Sequence, residues 1–177
     1  ACVIRDEKPH FMGVSEILRR SADHTRALLG QELEIRLHEL NEAWHAASLE
    51  RIFIENKLYQ LIEGCKTREA AYEAVDEGLA PFKKLLRREV TLDDVQRLTE
   101  LKFIRISRFD SERADNEIKA IEAEIERVRY DLDHLTDYAV AYYERIREKY
   151  GKGRERRTEL RSFDTIEAAK VAVTNAK

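Results

Sequence analysis

Glu42-Ala43-Trp44-His45 sets a carboxylate and an imidazole one helical turn apart. This is the spacing by which helical bundles offer ligands to a metal ion. Asp131 and His134 have the same separation, and two helices running in opposite directions would bring His134 near His45. A di-iron carboxylate site needs two Glu-x-x-His motifs and two further inward glutamates. This chain carries one motif and a poor second, so the expectation is a pair of helix-surface histidines and no metal. A metal-dependent helical-bundle oxidase remains a separate class, testable by elemental analysis. Cys2 and Cys65 lie too far apart for a disulfide framework or a zinc spacing, which fits a reducing cytosol.

Two basic groups are the other candidates. Arg19, Arg20 and Arg26 form one, and Lys152, Arg154, Arg156, Arg157 and Arg161 the other. They suit phosphates, and therefore DNA, if they fall at the same end of the molecule. They also suit a helix C-terminus and plain solvent. The net charge of −3 makes no global case for nucleic acid or membrane, so contact with DNA has to be local. No signal peptide or membrane span is legible.

The elements that would position these residues are long helices. Charged residues make up 38% of the chain and aromatics 8%, with 6 Gly and 2 Pro, which is helix composition and not that of a sandwich or a doubly wound sheet. Ile118, Ile121, Ile125, Val128, Leu132, Leu135, Ala139, Tyr142 and Ile146 recur at alternating spacings of three and four. So narrow a seam is a coiled-coil stripe and needs a partner of similar length. Leu33, Leu37, Leu40, Trp44, Ala47, Ile54, Leu58 and Leu61 supply it, with Arg51 the one break. The fold class read from this is all-α: an antiparallel coiled-coil arm carrying a small helical insert, with a short β hairpin at the N-terminus. A trial register puts Ile62 near Ile118, Trp44 near Leu135 or Thr136, and Arg26 near Arg154.

In order, Cys2–Arg5 and His10–Met12 flank a charged turn and read as the hairpin. Val14 and Ser15 look like the cap of a helix that Asp23 or Gly30 bends. Thr67 caps Arg68–Glu77, and Gly78 ends that helix. Pro81 opens a short helix. Thr91 with Asp94 resembles a capping box for a helix from Leu92 to about Ile106. Asp110 or Ser111 caps the second arm. Ile166–Ala169 reads as a helical turn and Val171–Val173 as a strand. The chain starts at Ala1 without Met, inside a strand, as a piece of a longer protein would.

Three passages resemble the A subunits of bacterial type IIA DNA topoisomerases, the gyrase and topoisomerase IV family. Lys149–Leu160 (KYGKGRERRTEL) is similar to the family's K-Y/F-G-x-x-R-R-T-E-I, with two extra residues between Gly and Arg. Leu98–Ser107 (LTELKFIRIS) is similar to I-L-x-x-R-L-x-x-L-T, with Phe103 in place of the usual Arg. Pro9–Leu18 is similar to Q-P-x-x-x-x-L-x-E-I-L. The resemblance spans nearly the whole chain in the right order.

The resemblance implies a division into the end of the tower domain (1–30), a first coiled-coil helix (31–64), a helical C-gate dimerisation domain (65–110), a second coiled-coil helix (111–150) and a return segment (151–177). It implies a homodimer through the gate, an ATPase B subunit holding ATP and Mg, double-stranded DNA as substrate, and a cytoplasmic, nucleoid-associated place. It implies an ATP-hydrolysing type IIA parent enzyme, with this piece structural and inactive alone. The family's catalytic tyrosine follows an Arg in an upstream domain; Arg129-Tyr130 repeats the dipeptide, but inside the seam helix, where Tyr130 reads as a surface residue. The family's second arm is usually interrupted midway, and here the heptads predict at most a kink near Tyr130–Asp133, with Asp131 as a cap. Leu98, Leu101, Arg105 and Arg108 are the expected dimer interface, against the alternative that the apolar ones fill the insert's own core. A stand-alone coiled-coil adaptor or spacer is the competing class.

Overall fold

A computed structural model of the chain describes residues 2–5, 7–155 and 157–159. The chain divides into two compact units, Ala1–Ala139 and Val140–Lys177. The helical turn and strand expected beyond residue 165, and the basic residues Arg156 and Arg161, lie outside the described residues.

The first unit opens with the hairpin, β1 (Cys2–Arg5) antiparallel to β2 (Lys8–Phe11), with Cys2 opposite Phe11 and Arg5 opposite Lys8. α1 (Val14–Glu55) follows, 42 residues and about 63 Å long. Its N-cap is Gly13, two positions before the expected cap Ser15, and no side chain caps it. The helix runs through Asp23 and Gly30 without a break. Gly30 serves packing instead: a Cβ there would stand 3.0 Å from Leu135 Cδ2.

α1 stops at Glu55 because the next residues leave helical space. Asn56 sits at φ −87°, ψ 7°, and Lys57 at φ 54°, a left-handed conformation that costs a non-glycine residue about 1 kcal/mol. A 3₁₀ turn (Leu58–Ile62) comes next, then α2 (Arg68–Leu79), a second 3₁₀ turn (Ala80–Leu85), α3 (Leu92–Thr99) and α4 (Phe103–Ser107). Thr67 caps α2 through Ala70 N, and the Thr91–Asp94 capping box opens α3 as its sequence predicts. The expected helix to Ile106 is divided, since α3 ends at Thr99 and α4 begins at Phe103. Gly78 does not end α2. It lies inside the helix, where a Cβ would meet Leu61 Cδ1 at 2.8 Å and Leu58 Cδ2 at 3.2 Å.

α5 (Ser111–Asp133) returns along α1, capped by Asp110, whose carboxylate accepts from Arg113 N. α6 (Leu135–Tyr150) follows after a one-residue break at His134 (φ −113°, ψ 39°). The interruption therefore falls one residue past the segment where a kink is expected. Tyr130 stacks on His134, ring centroids 4.1 Å apart.

Two cores result. Leu33, Leu40 and Trp44 of α1 pack with Ile118, Ile125 and Val128 of α5 and form the arm. Leu49, Phe53 and Ile54 continue α1 into a second core with Leu58, Val75, Leu79, Val95 and Leu98. The insert is thus a head wrapped around the last turns of α1, sharing that helix with the arm. In the second unit α6 closes at Gly151, where a Cβ would lie 2.4 Å from the Arg147 carbonyl oxygen. Val140, Tyr143, Ile146 and Tyr150 are exposed there.

Candidate functional site

The register between the arm helices is fixed by polar contacts that flank and cross the apolar seam. Ser111 Oγ donates to Glu55, Arg51 pairs with Asp115 at 2.6 Å, and Trp44 Nε1 donates to Glu122 at 2.9 Å. Farther along, Arg36 pairs with Glu124 at 2.7 Å and Arg26 Nη1 reaches Thr136 Oγ1 at 3.4 Å. Trp44 therefore faces Glu122, about four helical turns from the position the trial register assigns. The reason is the early end of α1. Leu58 and Leu61 keep the heptad rhythm but belong to the head, so Glu55 and not Ile62 stands at the turning end. The one break in the seam, Arg51, is explained as well, since it exchanges an apolar contact for an ion pair across the helices.

Where head meets arm, the dipeptide Arg87-Arg88 grips both. The Arg87 guanidinium lies 4.3 Å over the Trp44 ring and donates to Asn41 Oδ1 at 3.0 Å. Arg88 makes bidentate contacts to two carboxylates, Glu42 (2.9 and 2.8 Å) and Asp94 (2.6 and 3.1 Å). Burial by itself would raise the Asp94 carboxyl. The Arg88 guanidinium and the Thr91 amide and hydroxyl more than offset it and hold the group far below the usual carboxylate range. The same contact lowers Glu42. The candidate metal motif is consumed here: Glu42 turns to Arg88, and His45 is not on the surface but 1% exposed, its Nε2 3.4 Å from Asp94 Oδ2. His134 sits at the α5–α6 break with Nδ1 2.9 Å from the Tyr130 carbonyl oxygen. Among the described residues no three His, Cys, Asp or Glu side chains are placed to hold a metal ion.

The expected interface residues separate into two kinds. Leu98 is 5% exposed in the head core, and Leu101 is half-buried against it. Arg105 and Arg108 are exposed. Arg105 reaches back to Glu50 of α1, which raises its already high pKa. Of the basic candidates, Arg19, Arg20 and Arg26 lie exposed along α1, with Arg20 ion-paired to Glu16. Lys152, Arg154 and Arg157 are exposed after α6, in the other unit. Tyr130 is 61% exposed.

With an arm, a head and a break at His134 in place, the comparisons with known proteins become specific. The family model for the A subunit of DNA gyrase/topoisomerase IV matches residues 1–144. The chain belongs to that family. A curated member, the DNA topoisomerase 4 A subunit of Borreliella burgdorferi (strain ATCC 35210 / DSM 4680 / CIP 102532 / B31), is 24% identical over 175 residues. That alignment covers 99% of this chain and 28% of the relative, so the chain spans little more than a quarter of the length of the topoisomerase chain it matches.

Within this chain the Arg87-Arg88 grip is what sequence reasoning missed. A signal exists: paired arginines three residues ahead of a capping box, where surface loops rarely need two guanidiniums. Nothing local says which carboxylates they meet, because Glu42 lies 46 positions away. No helix among the described residues is long and apolar enough to cross a membrane.

Proposed function

We propose that this chain is the C-gate portion of the A subunit of a bacterial ATP-dependent type IIA DNA topoisomerase, with the head as the gate and the α1–α5 pair as its arm. The parent enzyme changes DNA topology by passing one duplex through another. ATP and Mg are bound by the B subunit of the enzyme, and the tyrosine that cuts DNA lies in another part of the parent chain. The piece itself is mechanical: two heads meet across a two-fold axis, hold the dimer while DNA is open, and part to release the transported duplex. The enzyme works in the cytoplasm on the nucleoid. The basic groups Arg19, Arg20, Arg26 and Lys152, Arg154, Arg156, Arg157 touch the passing duplex.

The observation that carries this reading is the head built on the turning end of an antiparallel arm, in a chain of this family. An arm of this kind transmits rotation to a contact surface. The contact is assigned to the surface members of the expected set. Arg105 and Arg108 line an open groove with Glu50, Arg113 and Glu117, and Leu101 lies beside them over the buried Leu98. Mixed charge at a groove suits a self-complementary two-fold interface.

Sedimentation equilibrium of the 177-residue chain at micromolar concentration tests the reading. Two chains per particle are expected. One chain per particle overturns it and favours the adaptor class. The double variant Arg105→Glu/Arg108→Glu is expected to give monomers with unchanged helical circular dichroism. A dimer that survives the double variant overturns the residue assignment while leaving the gate reading intact.

A further inference from the structure

The junction between arm and head contains one ionisable group that its structural role does not use. His45 is buried on the face of α1 against which α3 packs, and neither ring nitrogen makes a well-aligned hydrogen bond, the contact to Asp94 being long. Its nearest polar atom is Asp94 Oδ2, 3.4 Å from Nε2. That oxygen already accepts from Arg88 Nη1 at 2.6 Å, Thr91 N at 3.0 Å and Thr91 Oγ1 at 2.9 Å. The other carboxylate oxygen takes Arg88 Nη2 at 3.1 Å, with Arg97 Nη2 at 3.6 Å. A carboxylate offers about four acceptor directions over its two oxygens. Asp94 is therefore saturated on the side that His45 faces.

We propose that His45 is a proton-operated release between the arm and the head. In the neutral state the imidazole fills the space between α1 and α3 as a flat, nearly apolar wedge, and Arg88 ties Glu42 to Asp94. A proton on the ring creates a buried cation beside that half-buried guanidinium, and its nearest acceptor, Asp94, is already filled. The imidazolium then has two ways to be satisfied. It displaces Arg88 or Thr91 from Asp94, which undoes the grip or the α3 cap, or α3 moves away and admits water. Either way the contact between α3 and α1 loosens while the apolar seam of the arm is untouched.

The charged and titratable groups around the ring are few. From its own helix come Glu42 and, near that residue, His38; from the segment before α3 comes Arg88; from α3 come Asp94 and Arg97. Glu122 and Arg87 are taken up by Trp44. Burial is the largest influence and lowers the His45 pKa, Arg88 lowers it further, and Asp94 with Glu42 opposes without reversing the shift. A folded-state pKa below the unfolded value of about 6.5 means the unfolded chain binds the proton first. The head is then most firmly docked above about pH 6.5 and loosens as acid carries the pH down toward the folded value. This holds whether or not the head acts as a gate.

The test uses the intact chain. Imidazole signals of His45 are followed by NMR between about pH 8 and pH 5, assigned with His45→Leu, alongside hydrogen-exchange protection of α3 relative to the 33–40 stretch of α1. Expected are a His45 midpoint below the ordinary imidazole value and a fall in α3 protection that tracks it, with the arm unchanged. In His45→Leu the α3 protection is expected to be flat over that range, and His38→Gln is expected to keep the wild-type response. A His45 midpoint at or above the ordinary value overturns the proposal. So does an equal acid response in His45→Leu, or a loss of protection that spreads equally over arm and head. Where His45→Leu does not fold, the wild-type titration and protection profile decide alone.

Discussion

Arg51 Nη1 on α1 stands 2.6 Å from Asp115 Oδ1 on α5, at the one place where the heptad seam lacks an apolar residue. The pair is half-exposed and is supported by Glu55, which accepts from Arg51 Nε at 3.1 Å. An ion pair in a seam fixes register more than it stabilises. Asp115→Ala is expected to lower stability by about 1 kcal/mol, as one partner of a partly screened pair is left alone. Arg51→Leu/Asp115→Leu is expected to restore or exceed the wild-type denaturant midpoint, with a looser register read as broadened amide signals along α5. Equal losses in the single and double variants would show that the pair stabilises in its own right.

Asp94 carries the second prediction. Its folded pKa lies below the ordinary carboxylate value, so its contribution is complete above about pH 4 and is lost as acid takes the pH down from there toward the folded pKa. Asp94→Asn leaves Arg88 with Glu42 alone and weakens the capping box. A cost of about 3 kcal/mol is expected at neutral pH, with a flatter acid limb in the stability profile. Urea titrations at neutral pH and near pH 3 measure both, and an acid limb as steep as wild type would refute the assignment.

Leu98 belongs to the head core, and this changes how the proposed dimer interface has to be probed. Leu98→Asp buries a charge at a position 5% exposed and is expected to melt the head, with lost helical dichroism and lost protection of α2 and α3. Leu98→Ala is expected to cost about 2–4 kcal/mol. A folded Leu98→Asp monomer would instead place the side chain at a surface.

Trp44 couples arm to head through two contacts at once. Trp44→Phe keeps an aromatic ring but loses the indole N–H to Glu122 and weakens the face offered to Arg87. About 1–2 kcal/mol of destabilisation is expected, read as a lower thermal midpoint. In Glu122→Gln the amide oxygen still accepts, so a loss of less than about 1 kcal/mol is expected there.

Gly78 gives the last. Gly78→Leu drives a side chain into Leu58 and Leu61 and is expected to cost about 2 kcal/mol or more. Gly78→Ala is expected to fall within about 1 kcal/mol of wild type, because the gain in helix propensity offsets a contact that the half-exposed Leu61 can relieve by turning. Thermal melts of the two variants separate this packing role from a helix-ending one, in which Ala would be the more damaging of the pair relative to its size.

The heptad seams, the hairpin, the Thr67 and Asp110 caps and the Thr91–Asp94 capping box are legible in the sequence because each is a local pattern. Apolar spacing and a short side chain near a free amide act over one or two turns, whatever the rest of the chain does. The register of the arm, the docking of the head and the burial of His45 are decided elsewhere. They depend on where α1 stops, which the left-handed Lys57 settles against an apolar rhythm that continues past it. They depend also on carboxylates and guanidiniums far apart in the chain, Glu42 with Arg88 and Arg51 with Asp115, that become neighbours only after both helices are in place. A period of three and four repeats itself at every heptad and so admits many offsets. Only contacts between distant residues, each with one possible partner, choose among them.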